Sequence, residues 1–285
     1  MMKIERVGVI GGGLMGSGIA ETCARSGCDV VVHEIDAAAA EAARQRIEKS
    51  LARALERGKL DEAEQRSIVD RVSLSTDLSD QADRQLVIEA ATENEALKKQ
   101  IFADLDRTVE DESAIFASNT SSIPITRIAS ATGRPESVVG LHFFNPVPVM
   151  ALVELVTTVM TSPETAERAR GFAESLGKVV IEAKDRAGFI VNMLLVPYML
   201  GAIRMFEAGV ASKEDIDTGM RLGANHPMGP LELSDFVGLD TMKLVADVLF
   251  EEFKEPFYAS PPILTRMVEA GMLGRKTGRG FYQYP

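Results

Sequence analysis

The chain has 285 residues, of which 26% are charged, and it carries a formal net charge of −11 at pH 7. This length predicts one large domain and one small domain, each with a buried core. The acidic balance argues against binding to nucleic acid and to anionic membranes. The two cysteines, Cys23 and Cys28, lack the spacing of metal ligands, and the first predicted strand follows Met1 almost directly. We therefore expect reduced thiols, no bound metal and a cytoplasmic protein without a signal peptide.

A glycine-rich segment links the first predicted strand to the first predicted helix, which begins near Leu14 and Met15. Gly11 permits a tight turn, Gly13 lets a pyrophosphate approach the backbone, and Gly16 lets the helix pack on the strand. The unpaired N–H groups at the start of the helix would then face the phosphates. This context predicts a dinucleotide-binding site; the alternative is a glycine-rich turn without a ligand.

The second predicted strand ends at Glu34, which lies 18 residues beyond Gly16. A carboxylate at this position accepts hydrogen bonds from a free ribose 2′-hydroxyl and repels a 2′-phosphate, so it favours NAD(H). His33 precedes Glu34, and Arg44 and Arg46 follow it. Because an arginine could accommodate the 2′-phosphate, NADP(H) remains an open alternative.

Strands alternate with helices over residues 1–185, which predicts a Rossmann-like α/β domain with a doubly wound, mostly parallel sheet. The predicted strands span residues 6–10, 29–33, 72–75, 86–90, 114–118, 138–143, 151–155 and 179–182. The predicted helices span residues 14–26, 37–57, 62–70, 94–109, 124–131 and 163–176.

Helical periodicity takes over in the remaining residues, which predicts a smaller all-α domain over residues 186–285 with its boundary near 184–188. Residues 187–203 contain no charge and lie between Arg186 and Arg204. That length approaches the lower limit of a membrane span. Asn192 and Pro197 in this segment favour instead a helix buried in the domain core or in a subunit interface.

Polar side chains follow two strands that are predicted to end at the same edge of the sheet. Residues 117–122, ASNTSS, place five small polar side chains in a row, more than the capping of a following helix by Ser121 or Ser122 requires. His142 ends another strand and is the best acid/base candidate, because imidazole titrates near neutral pH. Glu154 lies in an apolar run, where a carboxylate needs a partner, and pairing with His142 would supply one. Asn192 is likewise a polar side chain that needs partners in an apolar helix.

The chain resembles the 3-hydroxyacyl-CoA dehydrogenase family, in the short single-function form of the 3-hydroxybutyryl-CoA dehydrogenases. The resemblance covers essentially the whole chain. In the first domain it is carried by VGVIGGGLMGSGIA at 7–20, VIEAATENEALKKQIF at 87–102, ASNTSSIPIT at 117–126 and GLHFFNPVPVMALVELV at 140–156. In the second domain it is carried by GFIVNMLLVPY at 188–198, GANHPMGPLELSDFVGLD at 223–240 and LGRKTGRGFYQY at 273–284.

This resemblance implies a nicotinamide-dependent oxidation of the 3-hydroxyl of an acyl-CoA, or the reverse reduction. It implies that His142 is the catalytic base, that Glu154 is its partner, and that Ser121 and Asn192 contact the reacting oxygens. The implied cofactor-binding residues are Gly11, Gly13, Leu14, Met15, Gly16, Glu34, Glu93, Lys98, Ser121, Asn145 and Lys276. The family usually has Asp at the position of Glu34, and the longer carboxylate of Glu34 should still reach the ribose.

The second predicted helix carries Lys49, Arg53 and Arg57 at four-residue intervals, so these cations share one face. With the resemblance, this face suits the CoA phosphates, and the expected CoA-binding residues are Ser50, Arg53, Arg57, Ser121 and Asn192. The alternative is a solvated helix face, since Glu48 and Glu56 flank the cations.

Two other functions compete with this interpretation. A β-hydroxyacid dehydrogenase also joins a dinucleotide-binding domain to a helical one, but it depends on a lysine where this chain has Asn192. A non-catalytic dinucleotide-binding protein would use the glycines but would have no use for His142 and Glu154. The small helical domain has too little mass to cover an apolar helix completely, so we also expect a homodimer formed through residues 186–285.

Overall fold

The computed structural model describes residues 3–285, which form two compact units. The first unit runs to Arg186, and the second spans Ala187–Pro285. Among residues 3–285, no group of three or more His, Cys, Asp and Glu side chains is placed to hold a metal ion. Both cysteines are buried free thiols, and burial raises the pKa of Cys23 well above its ordinary value.

The first unit is built on an eight-stranded sheet in the order β3-β2-β1-β4-β5-β6-β7-β8. All neighbouring strands are parallel except β6 and β7, which confirms the predicted mostly parallel α/β sheet. The strands are β1 (Arg6–Ile10), β2 (Asp29–His33), β3 (Val72–Ser75), β4 (Leu86–Glu89), β5 (Ile115–Ser118), β6 (Val138–Phe143), β7 (Leu152–Thr157) and β8 (Val179–Lys184). The helices are α1 (Leu14–Arg25), α2 (Ala37–Glu56), α3 (Glu62–Asp70), α4 (Glu95–Thr108), α5 (Ile125–Ala129) and α6 (Pro163–Ser175).

Central strands of a parallel sheet are covered on both faces, so their sequences are continuous apolar runs and not alternating ones. Every residue of β4, β5 and β6 is buried. Side-chain caps define where several helices begin: Asp36 accepts a hydrogen bond from Ala39 N, and Asp61 forms a capping box with Glu64. These local signals explain why the predicted bounds lie within a few residues of the observed ones.

The second unit is all-helical, as predicted, and consists of α7 (Val191–Glu207), α8 (Lys213–Thr218), α9 (Pro230–Val237), α10 (Leu239–Phe253) and α11 (Pro262–Glu269). A π-helical turn at Gly219–Gly223 follows α8. The apolar core of the second unit includes Leu200, Ile203, Leu231, Ala246 and Leu264, all of which are buried.

The predicted start of the long apolar helix at residue 187 was wrong. Gly188 and Phe189 have φ angles of 76° and 48°, a left-handed conformation that an α-helix does not contain, so α7 begins at Val191. The helix continues past Arg204 and includes Pro197. Leu194 is 70% exposed, so this helix is not covered on all sides within the chain. None of the helices that the structure describes is long and apolar enough to cross a membrane.

Candidate active site

The glycine-rich turn has the geometry of an anion cradle. Gly11 has φ 90°, which favours glycine, and a Cβ on Gly16 would lie 1.7 Å from the carbonyl oxygen of Gly11, so α1 packs directly on the turn. A Cβ on Gly13 would meet nothing within 4 Å, which leaves that side of the backbone open. Gly13 is the N-cap of α1 and provides no side-chain cap for the first turn, which begins with Leu14 and Met15. The residues present therefore fit a bound pyrophosphate.

Glu34 stands beside this turn at the end of β2. Its Oε1 accepts a hydrogen bond from Gly12 N at 2.6 Å, and its side chain is half-buried. Arg46 donates from Nη1 to the carbonyl oxygen of Gly12 at 3.2 Å, whereas Arg44 lies 3.6 Å from Glu41 on the surface of α2. A carboxylate and a guanidinium thus both reach the turn, and the carboxylate makes the shorter contact.

His142 and Glu154 are directly opposite each other in the antiparallel β6–β7 pair. Their side chains meet at 2.6 Å between Nδ1 and Oε2, with His142 6% exposed and Glu154 fully buried. A carboxylate can only accept, so Nδ1 carries the proton and Nε2 of the neutral ring is the basic nitrogen. The ring of Phe144 packs against the imidazole, with 4.6 Å between ring centroids. The expected pairing of the two residues is therefore present in the folded chain.

The polar residues after β5 form more hydrogen bonds to other residues of the protein than the sequence predicts. Glu93 Oε1 accepts hydrogen bonds from Thr120 Oγ1 at 2.5 Å, Ser121 N at 3.1 Å and Ser122 Oγ at 3.0 Å. Burial alone would raise the pKa of Glu93, but the ammonium of Lys98 and these hydrogen bonds outweigh it and hold this pKa below its ordinary value. The hydroxyls of Thr120 and Ser122 are thus hydrogen-bonded within the chain.

The structure does not support the alternative role of Ser121 or Ser122 as a cap of α5. Neither Ser121 nor Ser122 caps it; the carboxylate of Asp185 accepts hydrogen bonds from Ile125 N at 2.6 Å and Thr126 N at 2.7 Å. A carboxylate about sixty positions away performs the capping, so no local pattern could predict it.

Lys98 and Glu93, which the resemblance assigns to the cofactor, belong to a buried ionic cluster. Lys98 is 1% exposed, and its Nζ lies 2.5 Å from Glu89 Oε1 and 3.4 Å from Glu93 Oε2. Sequence reasoning missed Glu89. The signal was available, because Glu89 ends a fully buried apolar strand and a carboxylate there requires a partner, as Glu154 does.

Asn119 connects this region to the strand that carries His142. Its Oδ1 accepts a hydrogen bond from Phe143 N at 2.9 Å. Asn145, two residues further, is exposed in the loop after β6. The structure thus places the Glu93 network and the His142–Glu154 pair at the carboxyl ends of neighbouring strands β4, β5 and β6.

The expected CoA-binding cations lie on α2 and at its C-terminus. Arg53 is exposed in the last turn of α2, Arg57 is the exposed C-cap residue, and Ser50 is half-buried. Within residues 3–285, Lys49, Arg53 and Arg57 form no salt bridge, although Glu48 and Glu56 are their neighbours in sequence. This face therefore offers cations that no carboxylate of the described chain neutralises.

Two expected site residues lie in the second unit. Asn192 is half-buried in the first turn of α7, and its amide makes no hydrogen bond to the described residues of that unit. Lys276 donates from Nζ to Asp240 at 2.6 Å. Burial tends to raise the pKa of Asp240, but the hydrogen bond and the charge of Lys276 together with backbone hydrogen bonds outweigh it, so this pKa lies below its ordinary value.

Comparison with known proteins identifies the family. The family model of the 3-hydroxyacyl-CoA dehydrogenase NAD-binding domain matches residues 6–186, and that of the C-terminal domain matches residues 188–284. A 3-hydroxybutyryl-CoA dehydrogenase of Mycobacterium tuberculosis is 59% identical over 282 residues, which cover 99% of each chain.

Two solved structures are similar over their full length. The crystal structure of M. tuberculosis FadB2 covers 100% of both chains with a TM-score of 0.99 and 58% identity. The crystal structure of (S)-3-hydroxybutyryl-CoA dehydrogenase PaaH1 from Ralstonia eutropha covers 99% of this chain and 100% of that one, with a TM-score of 0.94 and 46% identity. The chain therefore belongs to the 3-hydroxyacyl-CoA dehydrogenase family, and NAD(H) is its cofactor.

Proposed function

We propose that the protein interconverts short-chain 3-hydroxyacyl-CoA and 3-oxoacyl-CoA, with 3-hydroxybutyryl-CoA and acetoacetyl-CoA as the expected pair. The observation that carries this proposal is the buried His142–Glu154 pair, next to a polar network at the carboxyl ends of parallel strands. Ligands of open α/β sheets bind at that edge. The names of the related M. tuberculosis and R. eutropha dehydrogenases support the same substrate class.

His142 serves as the acid/base group. In the oxidation, Nε2 takes the proton from the 3-hydroxyl while a hydride leaves C3; in the reduction, the imidazolium returns the proton to the 3-oxo oxygen. Glu154 holds Nδ1–H, keeps Nε2 basic and stabilises the imidazolium that forms. When bound, the oxidised nicotinamide supplies the hydride acceptor.

Ser121 and Asn192 bind the reacting oxygens. The hydroxyl of Ser121 makes no hydrogen bond among residues 3–285, while its backbone N–H is held by Glu93. Donors of this kind would orient the 3-oxygen and the thioester carbonyl, and positioning supplies much of the rate enhancement in such a reaction.

NAD(H) is preferred to NADP(H) in this proposal because Glu34 lies beside the turn that would hold the pyrophosphate, where a carboxylate would accept hydrogen bonds from the adenosine ribose and repel a 2′-phosphate. Arg46 favours the second candidate, an NADP(H)-preferring dehydrogenase of the same substrates. The backbone of Gly11, Gly13, Leu14, Met15 and Gly16 would bind the pyrophosphate. The remaining contacts to the cofactor are assigned to Glu93, Lys98, Ser121, Asn145 and Lys276.

The CoA portion binds to the cationic face of α2, with Ser50, Arg53 and Arg57 as its contacts. We assign residues 1–185 to cofactor binding and residues 186–285 to substrate binding and dimerisation in a cytoplasmic homodimer. A β-hydroxyacid dehydrogenase would require a lysine in place of Asn192, and a non-catalytic protein leaves the buried His142–Glu154 pair without a role.

A spectrophotometric assay with NADH and NADPH tests the activity. Acetoacetyl-CoA should be reduced with a higher kcat/KM than a longer 3-oxoacyl-CoA, and NADH should be the better donor. Absence of NADH oxidation with either thioester would contradict the proposed function. If NADPH were the better donor, the protein would be the NADP(H)-preferring dehydrogenase that is the second candidate.

A further inference from the structure

Glu89 is a fully buried carboxylate to which the reaction scheme gives no role. Its two oxygens accept three hydrogen bonds. Oε1 accepts from Lys98 Nζ at 2.5 Å and from Ala91 N at 2.7 Å, and Oε2 accepts from Ser118 Oγ at 2.6 Å. Glu89 therefore ties the end of β4 to α4, through Lys98, and to the end of β5, through Ser118.

Lys98 depends mainly on Glu89 for its position. Its ammonium has two other neighbours, the carbonyl oxygen of Ala91 at 3.3 Å and Glu93 Oε2 at 3.4 Å, both more distant than Glu89. A fully buried carboxylate, Glu89, and a half-buried one, Glu93, thus share one ammonium. If Glu89 lost its charge, the ammonium would be drawn toward Glu93, because Glu93 would be the remaining anion within reach.

Movement of Glu93 would be transmitted to the loop after β5. Glu93 Oε1 holds the backbone N–H of Ser121 and two neighbouring hydroxyls, while Glu89 holds Ser118, the last residue of β5, where the loop begins. The loop is therefore anchored to the cluster at two points, one on each side of Asn119. Stability alone does not account for this arrangement, since apolar replacements of a buried ion pair are often equally stable.

We propose that Glu89 is a positioning residue, which fixes Lys98 for cofactor binding and the loop of Ser118 and Ser121 for contact with the reacting oxygen. Its carboxylate touches neither substrate nor cofactor in this scheme and acts through these neighbours. The part of the inference that concerns the reacting oxygen rests on the proposed function. The part that concerns the cofactor rests on the family's NAD-binding domain.

Glu89→Gln tests the inference, because it keeps the shape of the side chain and removes its charge. Its matched control is Glu95→Gln, since Glu95 is a half-buried carboxylate of α4 that pairs with Lys99, with 2.6 Å between Lys99 Nζ and Glu95 Oε1, and with Arg127 at 3.2 Å. Lys98→Met and Lys99→Met form the corresponding pair of lysine variants. The dissociation constant of NADH is measured by fluorescence without acyl-CoA, and kcat and KM for acetoacetyl-CoA are measured separately.

For Glu89→Gln we expect NADH to bind about tenfold more weakly and kcat to fall about tenfold, the order of effect of displaced positioning groups. The KM for acetoacetyl-CoA should change by less than about twofold. A general loss of folded protein would also lower kcat at constant KM, but it would leave the dissociation constant of NADH unchanged, so the weaker NADH binding distinguishes the two causes. In a Lys98→Met background, Glu89→Gln should weaken NADH binding no further, because both changes act through the same ammonium. Both control variants should resemble the unmodified protein.

The proposal would be overturned if NADH binding and kcat of Glu89→Gln lay within about twofold of the unmodified values. It would also be overturned if Glu89→Gln and Lys98→Met weakened NADH binding additively in the double variant. Should Glu89→Gln fail to fold, Ser118→Ala tests the same link. It should lower kcat about threefold with NADH binding unchanged, and an unaltered kcat would refute the link to the loop. An unmodified protein that binds NADH but does not reduce acetoacetyl-CoA would refute the proposed function and leave the NADH-binding result interpretable.

Discussion

His142 is the residue on which the proposed chemistry depends most directly. His142→Gln should lower kcat by about 10²–10⁴, because it removes the positioned acid/base group. NADH binding should change little, since the cofactor contacts belong to other side chains. Steady-state kinetics with acetoacetyl-CoA and NADH titration of the same preparation measure both effects. A folded variant with nearly unchanged kcat would remove His142 from the mechanism.

Glu34→Ala tests the cofactor preference at the other end of the site. Without the carboxylate that contacts Gly12, the KM for NADH should rise by much more than the KM for NADPH, so the preference should narrow or reverse. Glu41→Ala is the control, because Glu41 lies exposed on α2 next to Arg44. If the unmodified enzyme already uses NADPH better, Arg46 and not Glu34 determines the preference.

Single residues also show where prediction from the sequence succeeds and where it ends. Glu154 was predicted to have a partner because a carboxylate in an apolar run demands one, and His142 supplies it. Glu89 satisfies the same rule, but its partner Lys98 has the sequence context of an ordinary helix lysine. Pairing of residues on different elements depends on tertiary structure that local patterns do not contain.

At the level of elements, strand and helix bounds could be predicted because apolar runs, caps and turn residues are local signals. Two features at this level, the start of α7 and the cap of α5, could not be predicted because their causes are uncommon or non-local. The start of α7 is displaced by a left-handed Phe189, a conformation rare for that residue type, and the cap of α5 comes from Asp185.

The loop after β5 should owe part of its stability to the charge of Glu93. The pKa of Glu93 lies below its ordinary value of 4.5, so its contribution is fully present above that pH and is lost as the pH falls through the lowered pKa. Glu93→Gln should therefore lower the free energy of unfolding by about 1–3 kcal/mol at pH 7, and by less below pH 4.5. Urea unfolding at both pH values measures the difference. If the loss of unfolding free energy in Glu93→Gln were larger at the acidic pH than at pH 7, this account would be contradicted. Glu41→Gln, at an exposed position, is the control.

The cationic face of α2 makes a separate prediction for CoA binding. Arg53→Glu with Arg57→Glu should raise the KM for acetoacetyl-CoA, because two cations that form no salt bridge within the described chain become anions, while NADH affinity should barely change. Arg66→Glu with Arg107→Glu makes the same change of net charge at other exposed positions of the first unit. Equal kinetics for the two double variants would mean that the α2 face is ordinary solvated surface.

At the level of the whole molecule, the second unit exposes an unusual amount of apolar side chain for its size. Large hydrophobic residues are exposed on most of its helices and connecting segments: Ile190, Leu194, Met205, Val210, Leu222, Phe236, Val237, Leu244, Phe250 and Phe257. Large exposed apolar side chains in such numbers are typical of a subunit contact, and twofold dimers are the most frequent solution.

We therefore predict a homodimer formed mainly through the second unit. Light scattering at micromolar concentration should give twice the mass of the chain, and a stable monomer would contradict the prediction.

Three of the exposed residues serve to locate the interface. Leu194, Val210 and Leu222 are 70%, 69% and 82% exposed, so a glutamate at these positions disturbs the folded unit little. At least one of Leu194→Glu, Val210→Glu and Leu222→Glu should dissociate the dimer, because a charge buried in an interface without a partner is strongly unfavourable. Val159→Glu, at a 95% exposed position of the first unit, should leave the dimer intact, and dissociation by this variant alone would place the interface in the first unit.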